Sequence, residues 1–424
     1  MSAEQRTTSG VPPGEPALEG PPRPFFRSRW VPAPGHVREL GAEAGLPAGF
    51  RAAGVVCGIK PSGNPDLGML LCDAPAPVSA ARFTTTGAPA APVLLSREHC
   101  RLGALRAVLA NSGCANAATG MRGLDDAAKT QGAAALASTG SISDYLPVEA
   151  ILKGILAARP RLRRSGDGDF QRAIQTTDSF EKRANLEVQL PSGQVRLSAQ
   201  CKGAGMISPR FATMLCFVET DAALAAETAD LLLGVCVQRS FDRVTVDGQL
   251  STNDTAILIC SGAAGVSVAP ASEDELRVGE ALDALLRQLA IMLVADGEGA
   301  ERIARVVVRG GHPSNAEAAA RAVANSPLVK AALNGGDPNW GRIAQAVGGA
   351  LPGTAPLAMD ISIEGIRVCA EGAAVPHSEP ALREAVEGHE IEYEVGLPGE
   401  GAETEVFFSD LSTRYVSANA EYTT

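Results

Sequence analysis

The sequence predicts an α/β fold, and three of its properties lead to this prediction. Short strand-like runs alternate irregularly with stretches whose apolar residues recur at helical spacing. Hydrophobic residues make up 45% of the chain and aromatic residues only 4%, so small aliphatic side chains and 45 glycines must fill the interior. At 424 residues the chain exceeds the length at which one core keeps growing, which predicts two large domains or two interlocked halves.

The first half of the chain opens with a segment rich in Pro and Gly. Residues 1–45 lack sustained periodicity, and we predict a flexible arm there. Helical spacing predicts helices over residues 124–139 and 147–162. Apolar runs separated by Gly, Pro, Asn or Asp predict strands, which are residues 55–59, 68–74, 81–86, 92–96, 106–112, 185–190 and 194–200.

The second half repeats this style without a repeat of fixed period. Apolar residues at helical spacing predict helices over residues 221–240 and 273–293. Strands are predicted over residues 255–262, 302–310 and 356–368.

Charge and cysteine usage exclude several classes of function. The net charge of -11 is spread along the chain without a basic stripe, so nucleic acid is not an expected partner. No apolar run approaches the roughly 18 residues of a membrane span, and the N-terminus lacks the layout of a signal peptide. We therefore predict a cytoplasmic protein. The nine cysteines form no CxxC motif and HExxH is absent, so we predict free thiols and no metal site.

The most unusual segment runs from Cys201 to Glu219, where Lys, Gly, Pro and small residues interrupt an apolar strand. Thr213 follows Ala212 there, and its Oγ has a sterically light path to the preceding carbonyl. Attack shifts the chain onto an ester, and hydrolysis of that ester makes Thr213 a new N-terminus. The α-amine so formed has a reference pKa of about 7.7–8.0 and can act as the base that a Thr nucleophile needs. The competing interpretation is a Thr buried in a strand.

Acyl transfer also requires hydrogen-bond donors aimed at the developing oxyanion, and two segments offer them. One is residues 137–140, predicted at the end of an Ala-rich helix, which offer a hydroxyl from Ser138 or Thr139 and the Gly140 amide. The other is residues 111–113 together with Asn116. Each segment alone is also compatible with an ordinary turn.

Three further motifs have competing interpretations. Ser179–Lys182 matches S-x-x-K, but KTG and SDN are absent, which argues against β-lactamase-like chemistry. The acidic loop at residues 296–299 suits a substrate ammonium or is only a solvated turn. Residues 335–341 place Trp340 among turn residues, either as part of a functional loop or as a cap on the core.

Several segments together match one family pattern. The pattern K-G-x-G-M-I-x-P-x-M-A-T-M-L fits residues 202–215, with Phe211 in place of the usual Met. Further matches are NSGCANA at 111–117, STG at 138–140, TTD at 176–178, STNDT at 251–255, DGEGA at 296–300, NSPLVK at 325–330, DPNWGRI at 337–343 and the final NAEYTT. On these residues the chain resembles the ornithine acetyltransferase family of arginine biosynthesis over nearly its whole length after Gly49.

The resemblance implies an α/β fold of central β-sheets sandwiched by helices and formed jointly by two self-cleavage products. The cut lies between Ala212 and Thr213, giving an α chain of residues 46–212 and a β chain of residues 213–424 that assemble as α2β2. The implied reaction transfers an acetyl group from N-acetylornithine to glutamate through an acetyl-Thr213 ester, with ping-pong kinetics and without a cofactor or metal.

The same resemblance implies roles for individual residues. Thr139 and Gly140 correspond to the oxyanion hole of the family. Lys202 and Glu298 are natural counter-charges for the carboxylate and the ammonium of an acetylated diamino acid. The implied substrate contacts are Thr176, Lys202, Thr213, Glu298, Asn419 and Thr424.

Three departures from the family pattern keep other substrates open. Gln249-Leu250 replaces the usual Asp-Thr, Glu301-Arg302 replaces Thr-Lys, and Cys114 stands where Asn is common. One alternative is therefore a specialised-metabolism relative acting on another N-acylated amino acid. A second is a self-processing aminopeptidase or amidase, which passes the acyl group to water.

Overall fold

The computed structural model describes residues 24–208 and 214–421, and its mixture of strands and helices confirms the α/β class. Strands in these ranges are β1 Val37–Leu40, β2 Phe50–Val55, β3 Leu67–Cys72, β4 Val78–Phe83, β5 Ala107–Cys114, β6 Ala135–Ser141, β7 Lys182–Leu190, β8 Gly193–Lys202, β9 Leu215–Thr220, β10 Ala223–Leu224, β11 Val244–Thr245, β12 Thr255–Cys260, β13 Ser267–Val268, β14 Ile303–Arg309, β15 Asp360–Ile363, β16 Ile366–Ala370, β17 Ala373–Ala374, β18 Glu390–Gly396 and β19 Glu403–Ser409. The helices are α1 Ala91–His99, α2 Gly120–Gln131, α3 Val148–Ala158, α4 Asp167–Ile174, α5 Ala226–Arg239, α6 Glu273–Ala295, α7 Pro313–Asn325, α8 Pro327–Asn334, α9 Trp340–Ala350, α10 Glu379–Ala385 and α11 Thr413–Glu421.

Two sheets stack face to face at the centre of the molecule. One has the strand order β1-β7-β8-β9-β12-β4, and the other has the order β2-β3-β5-β6. Helices α5 and α6 cover the outer face of the first sheet, and α1, α2 and α3 cover the outer face of the second. The predicted arrangement of central sheets sandwiched by helices is confirmed.

Successive side chains of the central strands point to opposite faces, and this alternation places apolar residues in the core on both sides of the sheet. Leu215 and Phe217 of β9 point into the core between the two sheets, whereas Cys216 and Val218 point toward α5 and α6. Because successive strand side chains face opposite sides, a strand buried on both faces reads as an unbroken apolar run. Strand β9 has all six residues buried, and its apolar run from Leu215 to Val218 occupies both faces.

A seven-stranded sheet with the order β11-β19-β14-β18-β15-β16-β17 forms a second body in the C-terminal half. Helices α7, α8, α9 and α10 pack on it around an Ala- and Val-rich core. None of the described helices is long and apolar enough to cross a bilayer.

Several local predictions are wrong. Residues 55–59, predicted as a strand, form the loop after β2 except for Val55, and the strand predicted over residues 356–368 is a hairpin of β15 and β16. Residues 92–96, predicted as a strand, lie in α1, which has Pro92 in its first turn. An apolar run this short does not distinguish strand from helix, and a first-turn Pro favours the helix. Residues 137–140, predicted at a helix end, lie in strand β6, because α2 stops at Gln131 and Gly132 leaves helical geometry with φ of 55°.

The structure also differs from the predicted arm where it describes that segment. Val37–Leu40 forms an edge strand paired with β7. Phe25 and Val31 are buried against the core, and the Trp30 ring lies 5.5 Å from that of Phe407. Residues 24–45 are therefore packed onto the body despite their lack of periodicity.

Candidate active site

A cavity of about 1000 Å³ opens where both central sheets meet the C-terminal helix α11. Its lining brings together six residues singled out from the sequence, namely Thr139, Gly140, Thr176, Lys202, Glu298 and Asn419. Ala212, Thr213 and Thr424 lie outside the described residues. The chain positions that flank the proposed nucleophile, Ser208 and Met214, are both buried.

Lys202 ends strand β8 with its ammonium directed at hydroxyl groups. Its Nζ donates to Thr139 Oγ1 at 3.0 Å and to Thr176 Oγ1 at 2.7 Å. Asp178 Oδ2 lies 4.0 Å away. Burial lowers the pKa of Lys202, and the charge of Asp178 opposes that shift.

Thr139 and Gly140 lie near the C-terminal end of strand β6, beside β5. Since Thr139 Oγ1 accepts a hydrogen bond from Lys202, its own proton is left for another acceptor. Gly140 has φ of 131°, and a Cβ there would lie 2.3 Å from the carbonyl carbon of Gly113, so only glycine fits. A hydroxyl donor is thus placed at a glycine corner of the cavity, as an oxyanion site requires.

The second segment that the sequence offered for an oxyanion site, residues 111–113 with Asn116, mainly holds the backbone in place. Ser112 Oγ donates to the Ala173 carbonyl at 2.6 Å, and Asn116 Nδ2 donates to the Gly123 carbonyl at 2.9 Å. Asn111 Nδ2 donates to the Cys114 carbonyl at 2.8 Å. These three side chains hold the backbone in place, and only Gly113 of the segment lines the cavity.

A buried ion network lies behind Lys202. Asp178 accepts from Lys182 Nζ at 2.7 Å and from the Gly203 amide at 2.8 Å. Lys182 also pairs with Asp296. Burial acts to raise the pKa of Asp178, but the charges of Lys182 and Lys202 prevail and hold it well below its usual range. Lys182 of the S-x-x-K match thus pairs with carboxylates, and Ser179 donates its amide to Asp296 at 3.0 Å.

Glu298 supplies a negative charge at another part of the cavity wall. Its carboxylate accepts from Thr177 Oγ1 at 3.0 Å and from Asn419 Nδ2 at 2.9 Å. A Cβ on Gly205 would lie 2.9 Å from the Glu298 carboxyl carbon, so this glycine admits the side chain. Both observed partners are neutral, which leaves the carboxylate suited to a ligand ammonium.

Two carboxyl groups from one loop, the half-buried Asp247 and the fully buried Asp254, hold the chain on both sides of residues 209–213. Asp247 accepts the amides of Met206 at 2.7 Å and Ile207 at 3.0 Å. Asp254 accepts the amide of Met214 at 3.0 Å. Sequence reasoning assigned no role to either residue, although Asp254 belongs to the STNDT segment that carried the resemblance.

The remaining sequence candidates divide between the cavity and the core. Trp340 begins α9 and packs against the core of the seven-stranded sheet, which favours the cap interpretation. Gln249, one of the departures from the family pattern, lines the cavity. Cys114 is buried, and its thiol lies 3.4 Å from the Asp144 carbonyl.

The fold and the site define an α/β enzyme of the acyl-transfer class. The chain belongs to the ArgJ family, whose sequence model matches residues 51–424. It is 41% identical over 397 residues to the "Arginine biosynthesis bifunctional protein ArgJ" of Rhodopirellula baltica, covering 89% of this chain and 96% of that one. It is 40% identical over 410 residues to the protein of the same name from Mycolicibacterium paratuberculosis, covering 91% and 97%.

Proposed function

We propose that this protein transfers the acetyl group of N-acetylornithine to glutamate through Thr213. The observation that carries the proposal is the cavity itself. It combines the Thr139 hydroxyl, oriented by Lys202, with the Glu298 carboxylate, which has neutral partners only. Relatives about 40% identical over nearly their whole length are named for arginine biosynthesis, which supports this choice of substrates.

The proposed reaction begins with self-cleavage. Thr213 Oγ attacks the Ala212 carbonyl carbon, the peptide C–N bond breaks, and the nitrogen takes a proton as the ester forms. Water then hydrolyses the ester, which leaves a carboxylate on Ala212 and a free amine on Thr213. The products are the proposed α chain of residues 46–212, with any arm that precedes it, and the β chain of residues 213–424.

Acetyl transfer then uses the new N-terminus. The Thr213 amine takes the hydroxyl proton while Oγ attacks the acetyl carbonyl, and Thr139 and Gly140 stabilise the oxyanion. The C–N bond breaks, ornithine leaves with the proton on its α-amine, and an acetyl ester remains. The α-amine of glutamate attacks that ester, the bond between Thr213 Oγ and the acetyl carbon breaks, and Oγ regains its proton from the amine as N-acetylglutamate leaves.

Glu298 is proposed to bind the distal ammonium of ornithine. Asn419 and Thr177 hold its two carboxylate oxygens, so the charge is fixed in direction before the substrate arrives. Thr176, Asn419 and Thr424 complete the proposed set of substrate contacts. Lys202, which the resemblance places in that set, is assigned to orienting Thr139.

We further propose a cytoplasmic location and an α2β2 assembly. All nine cysteines are free, as is usual in a reducing compartment. An apolar groove between α5 and α6 exposes Leu231 and Leu276, which supports association with another subunit. Native mass measurement of the cleaved protein tests the assembly.

Ornithine release is expected to depend on the acceptor. With N-acetylornithine alone, the enzyme should release about one ornithine per active site and stop at the acetyl ester. Added glutamate should restore continuous turnover, because its amine attacks that ester. Quantifying free ornithine over time in both conditions checks this expectation. Equal continuous release without glutamate would instead identify a hydrolase.

Acetyllysine and acetylarginine serve as matched donors in the same assay. N-acetylornithine with glutamate should rank among the best pairs. Preference for another N-acylated amino acid would favour the specialised-metabolism alternative, for which Gln249 in the cavity wall is the relevant departure.

Asp254→Ala is expected to slow self-cleavage about 10- to 100-fold, since a buried hydrogen bond to the Met214 amide is lost. Asp254→Asn keeps an acceptor oxygen and should cleave within a few-fold of the wild type. Burial raises the pKa of Asp254 well above its usual value, so a neutral amide is a close mimic. The measurement is the fraction of uncut chain over time by intact mass. Unchanged cleavage in Asp254→Ala would remove this anchoring role.

A further inference from the structure

We infer that Lys60 binds the α-carboxylate of the amino-acid substrate. The inference rests on the proposed function, because it assigns one charge of the proposed substrate to a side chain outside the matched motifs. Lys60 lines the cavity that contains Thr139, Lys202 and Glu298.

The loop that carries Lys60 is held in shape by a buried carboxylate. Asp66 is fully buried just before β3 and accepts four consecutive backbone amides at 2.7–3.1 Å. These amides belong to Cys57, Gly58, Ile59 and Lys60. The loop is therefore ordered without a ligand, which lowers the entropic cost of binding.

The aliphatic stem of Lys60 lies against the sheet beside Thr139 and Gly140, which form the oxyanion corner of the cavity. A Cβ on Gly113 would lie 3.1 Å from Lys60 Cγ, and Gly113 is paired with Gly140 across β5 and β6. Only the nitrogen and Cα separate the acetyl carbonyl of N-acetylornithine from its α-carboxylate. A cation for that carboxylate must consequently lie close to the oxyanion corner, as Lys60 does.

The ammonium of Lys60 has donors to spare. Its Nζ donates to the Pro65 carbonyl at 2.7 Å, which uses one of three protons. Within the described ranges 24–208 and 214–421, no carboxylate oxygen lies within 4.0 Å of it. Burial lowers the pKa of Lys60 to about 8; the charges of Asp66 and Asp178 favour the protonated form, and that of Lys202 opposes it. A substrate carboxylate would add the missing counter-charge.

Lys202, the other lysine that lines the cavity, already has hydrogen-bond partners and a counter-charge. Two of its protons go to the Thr139 and Thr176 hydroxyls, and its remaining charge faces Asp178. A substrate carboxylate at the third proton of Lys202 would have to lie beside Asp178, a resident carboxylate 4.0 Å from the same ammonium. Lys60 can accept a carboxylate without disturbing the oxyanion corner, so the two lysines have separate tasks.

The test compares L-ornithine with L-ornithinamide, which lacks the carboxylate charge, by calorimetric binding to the cleaved enzyme. The wild type should bind ornithine at least about 10-fold more tightly, as expected for a charge-assisted contact. Lys60→Met should bind both ligands about equally, and Lys60→Arg should keep most of the preference. In turnover, Lys60→Met should raise KM for N-acetylornithine about 10- to 100-fold and change kcat by less than about 5-fold.

Lys153→Met, which removes an exposed lysine of α3 away from the cavity, is the matched control. Complete self-cleavage and an unchanged melting temperature show that the Lys60 variants are folded. Unaltered preference for ornithine in Lys60→Met, with normal acetyl transfer by the wild type, would overturn the role of Lys60 alone. A wild type that transfers no acetyl group yet shows the Lys60-dependent preference would refute the proposed function and retain this carboxylate site.

Discussion

Thr213→Ala is expected to leave one uncut chain of 43.6 kDa and to lower acetyl transfer by at least about 10⁴-fold. Two losses combine in this variant. Without Oγ no ester forms with the Ala212 carbonyl, so the amine that would serve as the base is never released. Without Oγ there is also no nucleophile for the acetyl group. Intact mass and a transfer assay on the same sample measure both effects.

Thr213→Ser is the matched control because it keeps the hydroxyl and removes one methyl group. It should cleave and should retain activity within about 100-fold of the wild type. A fully active preparation that contains only uncut chain would contradict the self-cleavage step. Cleavage that proceeds normally in Thr213→Ala would contradict the assignment of this residue as the nucleophile.

The parts of the fold that were predictable are those whose burial follows a simple period. Helix α6 was predicted over residues 273–293 and spans Glu273–Ala295, because its apolar stripe covers one face of the first central sheet. Strand β6 was missed because Ala is compatible with both a helix and a strand buried on two faces. Only the pairing of β6 with β5 decides between them, and that contact is not local in sequence.

The site shows the same limit at the level of single contacts. The family motif pointed to Thr139 and Lys202, which are 63 residues apart, and the structure adds that one orients the other. Composition and spacing contain no signal for that hydrogen bond. Lys60, Asp247 and Asp254 were missed because each acts through a loop whose position depends on the packing of both sheets.

The buried ions around Lys202 determine how strongly the removal of its charge affects the stability of the fold. Lys182 lies between Asp178 and Asp296, so two buried lysines, Lys182 and Lys202, together balance these two buried carboxylates. A buried charge that loses its partner destabilises the fold strongly. When the Lys202 charge is removed, Asp178 keeps Lys182, and Asp296, whose pKa burial raises, can take up a proton that restores the balance of charge. We therefore expect the loss of Lys202 to affect catalysis more than folding.

Lys202→Met is accordingly expected to lower kcat about 10²- to 10³-fold while changing KM less than about 5-fold. The Thr139 hydroxyl then loses the ammonium that directs its proton toward the oxyanion. Thr139→Val should show a similar loss of kcat. Because Lys202 acts through Thr139, the double variant should be no more than about 3-fold slower than the worse single variant.

The effects on kcat and KM distinguish two roles for Lys202. One is the positioning of Thr139, and the other, which its charge alone suggested, is the binding of the substrate carboxylate. If Lys202 bound the substrate carboxylate, Lys202→Met would mainly raise KM, and its effect would add to that of Thr139→Val. The separate roles inferred for the two lysines predict the opposite result, which is a KM effect at Lys60 and a kcat effect at Lys202. A melting temperature within a few degrees of the wild type confirms that each comparison concerns the site. A KM effect at Lys202 together with unchanged kinetics at Lys60 would place the carboxylate on Lys202 and leave Lys60 as a structural residue of its loop.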